Sequence, residues 1–200
     1  MIPARIASSL AVCALLVFAA SGCASFRGGE LAETTPWPPV ASPTKKSVSL
    51  VLAGGTVSVN GNPTDASPMM LQQWREKVEK TYADSSLFSA VLPESAPADV
   101  RAEVHVSDIG EGSMGLAFLC GFTMFIIPAT AIDHFTMKTD FKNANGDVLA
   151  TIEKSDSSRL WMQLFLVFVM PFNWPPSVGE ELFRDLSRAT LADAHGKNIL

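Results

Sequence analysis

The chain has 200 residues, 48% of them hydrophobic and 18% charged, with a formal net charge of −5 at pH 7. This mildly acidic balance, with no cluster of lysine or arginine, argues against nucleic acid or anionic headgroups as the main partner. The length suits one compact domain and not two.

The amino-terminal stretch states an address. Arg5 supplies a short positive start, residues 6–20 are mostly apolar, and Ala20, Ser21 and Gly22 are small residues before Cys23. Such a segment is a secretion signal, too short and wrongly flanked to be an ordinary membrane span. Ala20-Ser21-Gly22-Cys23 resembles the lipobox of bacterial lipoproteins, with Ala20 where leucine is usual. The resemblance implies cleavage by signal peptidase II after residue 22 and attachment of diacylglycerol, with further acylation such as palmitate, to Cys23. Several acyl chains bury enough methylene groups to hold a protein on a bilayer. In that family an aspartate after the cysteine is the usual inner-membrane retention signal. Ala24 and Ser25 therefore imply the inner leaflet of the outer membrane, facing the periplasm, with the inner membrane as runner-up.

Cleavage leaves 178 residues and a net charge of −6, because Arg5 is the counted group that departs. Cys13 is discarded and Cys23 is lipidated, so Cys120 is left without a disulfide partner. Its neighbourhood, LAFLCGFTM, is apolar and supplies no activating base, which reads as a buried structural cysteine. Residues 23–46 form the lipidated cysteine and a Pro/Ser/Thr-rich tether, able at full extension to span about 70 Å. The domain proper is expected over 47–200.

Within it, residues 47–61 carry two apolar runs around Gly54 and Gly55, read as a strand and a hairpin partner. The glycines lack the spacing of a phosphate loop. Ser67 and Pro68 then open a helix with Leu71, Trp74, Val78 and Tyr82 on one side. Residues 86–92 return to the sheet. Val100, Ala102, Val104 and Val106 alternate with Arg101, Glu103, His105 and Ser107, the pattern of a strand with one wet face. Phe135, Met137 and Phe141 face inward on another strand, Asn145-Gly146 makes a tight turn, and Val148, Ala150 and Ile152 return. At the end, Ser177 and Glu180 fit a capping box before a stripe of Leu182, Phe183, Leu186, Ala189 and Thr190, and Gly196 suits the helix terminus. The expected fold is α+β: one small domain with a mainly antiparallel sheet, two amphipathic helices and two strongly apolar segments at one end.

Those segments are residues 114–132, without a charge, and 160–176, inside a run of twenty positions without Asp, Glu, Lys or Arg. Both leave strands that neighbour one another antiparallel, so both should emerge at the same pole. As membrane helices they are poor: Gly115, Gly121 and Pro128 weaken the first, and Pro171 breaks the second. The intervening residues 133–159 hold four basic and five acidic groups, the wrong balance for a cytoplasmic loop. The remaining uses are burial in the protomer, or a surface covered by a membrane or another subunit. The candidate contact surface comprises Phe118, Phe122, Phe125, Trp161, Phe165, Phe168 and Trp174, the two tryptophans bracketing the second segment.

No GxSxG, HExxH or Cys-His arrangement is present, and Asp140, Asp147, Glu153 and Asp156 are interspersed with lysines like a solvated face. The expectation is therefore a non-enzymatic lipoprotein, without metal or cofactor, anchored by acylated Cys23. It would serve as a structural or accessory subunit of an envelope complex, binding an envelope protein or its own copies, and no nucleic acid. One alternative is an inner-membrane-associated protein with a two-helix membrane hairpin. The other is an envelope enzyme acting on lipid or cell wall, which needs His105, His134 and Asp133 brought together by the fold.

Overall fold

The structure, a computed structural model, describes residues 22–39 and 44–200. The secretion signal expected over 1–22 lies outside the described residues except for Gly22. In chain order the elements are β1 (Gly22–Arg27), β2 (Val48–Val59), β3 (Asn62–Asp65), α1 (Pro68–Asp84), β4 (Val91–Leu92), β5 (Val100–Gly112), α2 (Met114–Phe122), β6 (Ala129–Asn143), β7 (Val148–Gln163), a 3-10 turn (Leu164–Phe168) and α3 (Pro175–Gly196).

The strands form one sheet in the order β1-β7-β6-β5-β2-β3, with β4 also on β2. β5, β6 and β7 form the antiparallel ribbon, closed by a turn at Gly146. β2 lies parallel to β5, because the intervening α1 carries the chain back across the sheet to start β5 beside the start of β2. α1 and α3 cover one face: Trp74, Val78 and Tyr82 from the first and Leu182, Phe183 and Leu186 from the second join Val48, Leu50, Ala102, Val104, Met137 and Ile152 in the core. Ser67 caps α1 by accepting from the Met70 N–H at 3.3 Å.

The helix count and the apolar architecture differ from the expectation. The described residues hold three α-helices, not two, and the sheet mixes parallel with antiparallel pairs. Neither apolar segment is a continuous unit. Residues 114–122 form α2, 129–132 are the first turn-out of β6, 160–163 finish β7, and 164–168 make the 3-10 turn. Pairing of Ala129 with Met162 and of Ala131 with Leu160 satisfies the backbone polar groups in the ladder, which removes any reason for a long helix. No helix among the described residues is long and apolar enough to cross a membrane, so the two-helix hairpin is not supported.

Smaller corrections have local causes. β2 continues through Gly54 and Gly55, with a shift in its register against β5 between Leu52 and Gly54, and the hairpin turn lies at Asn60 and Gly61, both in the left-handed region (φ 49° and 81°). Gly55 is required for packing: a Cβ there would lie 2.5 Å from Cζ3 of Trp74. Pro175 and Pro176 start α3 ahead of Ser177, whose hydroxyl donates to the Trp174 carbonyl at 2.8 Å and caps nothing. The left-handed residue after α3 is Asn198, not Gly196.

The sheet also begins earlier than the expected domain boundary. All of β1 except Gly22 lies within residues 23–46, the stretch read as a tether, yet the strand pairs with β7 over its whole length, from Gly22 opposite Gln163 to Arg27 opposite Ser158. From β1 the chain crosses the helical layer, where Leu31 and Trp37 pack against the core and Arg188 lies 5.3 Å from the Trp37 ring centroid.

Candidate functional site

At the end of the sheet where β6 begins and β7 ends, the two apolar segments meet. Leu164 N–H donates to the Phe125 carbonyl at 2.9 Å, and the Cys120 thiol points at the Met162 carbonyl, 3.6 Å away. Ser113 caps α2 by accepting from Leu116 N–H at 3.2 Å. The helix ends at Thr123, whose hydroxyl donates to the Leu119 carbonyl at 2.8 Å and accepts from Ile127 N–H at 3.2 Å. Met124 and Phe125 both take left-handed backbone (φ 50° and 63°), a conformation unfavourable for large side chains. It lets Phe125 N–H reach the Cys120 carbonyl at 2.8 Å while its own carbonyl meets Leu164.

Cys120 is buried, as its apolar setting implies, and it pins α2 to β7. The outer side of the same helix is bare. Phe118 and Phe122 are 76% and 77% exposed and stack on one another, centroids 6.4 Å apart. Across the pole Phe165, Phe168 and Trp174 are exposed too, at 67%, 77% and 48%. Phe125 and Trp161 are only half-buried contributors: Phe125 is held by its loop, and Trp161 sits within β7 opposite Ala24 and Thr130. The predicted surface residues are thus brought to one pole, five of them open and two partly covered. Sequence reasoning missed Phe172, 85% exposed between Pro171 and Asn173, because a lone aromatic in a proline-rich loop has no periodic signal. Of the eighteen large apolar side chains exposed among the described residues, twelve fall in 114–127 or 165–174, so the exposure is concentrated rather than scattered.

Cys23 belongs to this pole. It pairs with Met162, the residue whose carbonyl receives Cys120, and Ser25 N–H donates to the Asn173 carbonyl at 3.0 Å. Burial, and then the neighbouring Cys120, push its thiol pKa upward. Gly22 is wedged against the 3-10 turn, where a Cβ would lie 2.1 Å from Val167 N.

The polar candidates do not assemble. His105 is exposed on the open sheet face, in a hollow of about 380 Å³ with Lys138 and Glu153. His134 pairs with Ile109, four residues further along β5, about 13 Å away at the usual strand rise. Asp133, adjacent to His134 in a strand, points to the other face. A larger cleft of about 510 Å³ lies between α1 and α3, lined by Trp37, Lys77, Glu180, Arg184 and Arg188 among others, with charges of both signs. Among the described residues no group of three or more His, Cys, Asp and Glu is placed to hold a metal ion.

No protein-family model matches the chain, and no curated protein matches it. Solved structures give distant likenesses. One is a homolog of a neuraminyllactose-binding hemagglutinin from Helicobacter pylori, 7% identical, with a TM-score of 0.35, covering 57% of this chain and 64% of that one. This chain thus spans less than two thirds of that protein's length. Another is a PelC dodecamer from Paraburkholderia phytofirmans, 11% identical, with a TM-score of 0.33, covering 84% of this chain and 98% of that one. At these TM-scores neither likeness carries a fold or a function across.

Proposed function

We propose that this protein is an envelope lipoprotein, acylated at Cys23 and held on the inner leaflet of the outer membrane. Its domain acts there as a structural or accessory subunit through protein or membrane contacts rather than as an enzyme. The observation that carries this reading is the concentration of exposed, uncharged aromatic side chains at the end of the sheet where Cys23 lies. Water penalises such a patch by roughly 25 cal/mol for each Å² left uncovered, so a bare pole of this kind marks a contact surface. The lipobox resemblance supplies the compartment.

Membrane fractionation with site-specific crosslinking at Phe118 and Phe168, in wild type and Cys23→Ala, tests it. Wild-type protein is expected in the outer-membrane fraction with crosslinks to whatever covers the pole, and Cys23→Ala is expected to leave that fraction. Recovery of Cys23→Ala in the outer membrane at wild-type level would overturn the anchor. A detergent-solubilised wild-type protein that stays strictly monomeric and yields neither protein nor lipid crosslinks would overturn the contact role.

A further inference from the structure

We propose that the apolar pole is a membrane-resting face: Phe118, Phe122, Phe165, Phe168 and Trp174 enter the interfacial layer of the same leaflet that holds the acyl chains of Cys23. This rests on the acylated-anchor reading above and adds to it an occupant and an orientation. The deciding observation is the absence of spacer between anchor and pole. Cys23 is a paired residue of β1, opposite Met162, and the residues that follow it run away from the pole toward Arg27. The stretch expected as a tether therefore lies after the first strand, not between lipid and domain, and cannot hold the pole off the bilayer. Cleavage after Gly22 leaves the acylated residue opposite Met162, two residues before the 3-10 turn that starts at Leu164.

The pole has the chemistry of such a face. The segments 114–132 and 160–179 carry no Asp, Glu, Lys or Arg, and the charges nearest to them in register, Glu111 and Arg159, both lie opposite Ile132, three residues in from the start of β6. Aromatic rings with an apolar body favour that boundary, and Trp174 adds an indole N–H able to meet its polar side. The short α2 ends in backbone tied down by Thr123, so its outer side can lie flat without exposing unpaired amides to lipid. A protein held on one leaflet by acyl chains gains from this face a second attachment, which fixes its orientation on the surface. A second copy fits less well as the occupant. Anchors at the pole of both subunits would force the shared interface to lie at the membrane surface, leaving the lipid to compete for the same rings.

The orientation follows. β6 runs from Ala129 at the pole to Asn143 at the far hairpin, 15 residues, or about 50 Å at the usual strand rise. The hairpin around Asn145 and Gly146 is then at the end of the sheet away from the leaflet, presented to the periplasmic space.

The test uses the full acylated chain in vesicles of phosphatidylethanolamine and phosphatidylcholine, with a photoreactive phenylalanine analogue at Phe118, Phe168 or Asn145. Adducts with lipid at Phe118 and Phe168 and none at Asn145 are expected. Adducts at Phe118 and Phe168 with a second copy in place of lipid would overturn the membrane face and leave the anchor standing. The intact mass of Cys23 is read on the same samples, so a missing acyl group is recognised as failure of the anchor itself. In that case vesicle sedimentation of the Cys23→Ser protein decides the pole alone. Residual binding that falls at least about tenfold in Phe118→Glu/Phe168→Glu supports it, since burying one such side chain is worth more than a tenfold change in an equilibrium constant. Equal binding of the two proteins overturns it.

Discussion

Arg27 and Asp156, 129 residues apart, form the ion pair that fastens β1 to the sheet: Arg27 Nε donates to Asp156 Oδ2 at 3.0 Å while Nη1 donates to Asp185 Oδ2 on α3 at 2.9 Å. Asp156 is fully buried, and its Oδ1 accepts from the N–H groups of Glu30 at 3.2 Å and Ser157 at 2.8 Å. The pair ties together the first strand, the last strand and the last helix.

Removing the guanidinium leaves a buried carboxylate with only backbone donors. Arg27→Ala is therefore expected to cost about 3 kcal/mol, the low end for a broken buried pair because Arg27 itself is partly exposed. Urea unfolding of the Cys23→Ser protein measures this, and amide exchange of residues 22–27 should accelerate ahead of the rest of the sheet. In Arg27→Ala/Asp156→Ala the loss should be well below the sum of the single losses. Additive losses would show that the two side chains act independently.

Gly54 and Gly55 offer a matched pair. Gly55→Ala places its methyl against Trp74 and Leu71 and is expected to destabilise by about 1–3 kcal/mol. At Gly54 the nearest group is His105 Nδ1 at 3.7 Å, so Gly54→Ala should change stability by less than about 0.5 kcal/mol. Equal effects would remove the packing explanation for the second glycine.

Asp108 lies half-buried near the pole end of β5, and burial, followed by the charge of Asp133, pushes its pKa up to about 6. Its Oδ1 has no hydrogen-bond partner among the described residues. Between its unfolded value of 3.8 and about 6 the native state holds more protons than the unfolded chain, so the stability present below the unfolded pKa is lost as pH rises. The shift corresponds to about 3 kcal/mol before screening and to roughly 1–2 kcal/mol for a half-exposed group. Asp108→Asn should therefore be more stable than wild type by that amount at neutral pH and gain nothing near pH ~3.5. Denaturant midpoints at both pH values decide it, and a pH-independent difference would assign the effect to something other than titration.

Exposure at the pole makes its own prediction for stability. Phe118→Ser and Phe168→Ser should each shift unfolding by less than about 0.5 kcal/mol, because their rings make few contacts within the domain. Leu186→Ala, fully buried between α3 and the sheet, should cost about 2–5 kcal/mol. Comparable losses at Phe168 and Leu186 in chemical denaturation would mean that the pole is part of the core.

Several elements were legible from local order alone. The stripe Leu71, Trp74, Val78 and Tyr82 with its Ser67 cap, the alternation from Val100 to Val106, and the Asn145-Gly146 turn are periodic or capped, and periodicity needs only neighbours in sequence. The pattern of the run ending in Cys23 is local too, and the acylation it implies belongs to the proposed function. α2 was hidden because it is apolar on every side, so its single buried residue, Cys120, leaves no stripe to read. β1 was hidden because GCASFR has no strand pattern of its own. It is a strand because β7 presents an open edge and Asp156 waits for Arg27, partners more than a hundred residues away. By itself the sequence determined the periodic and capped helices and strands, and it offered in the pattern before Cys23 the lipid attachment proposed above. Only the tertiary structure decided that β1, and Cys23 with it, lies at the pole the two apolar segments share, because strand pairing joins backbone groups that no local pattern relates.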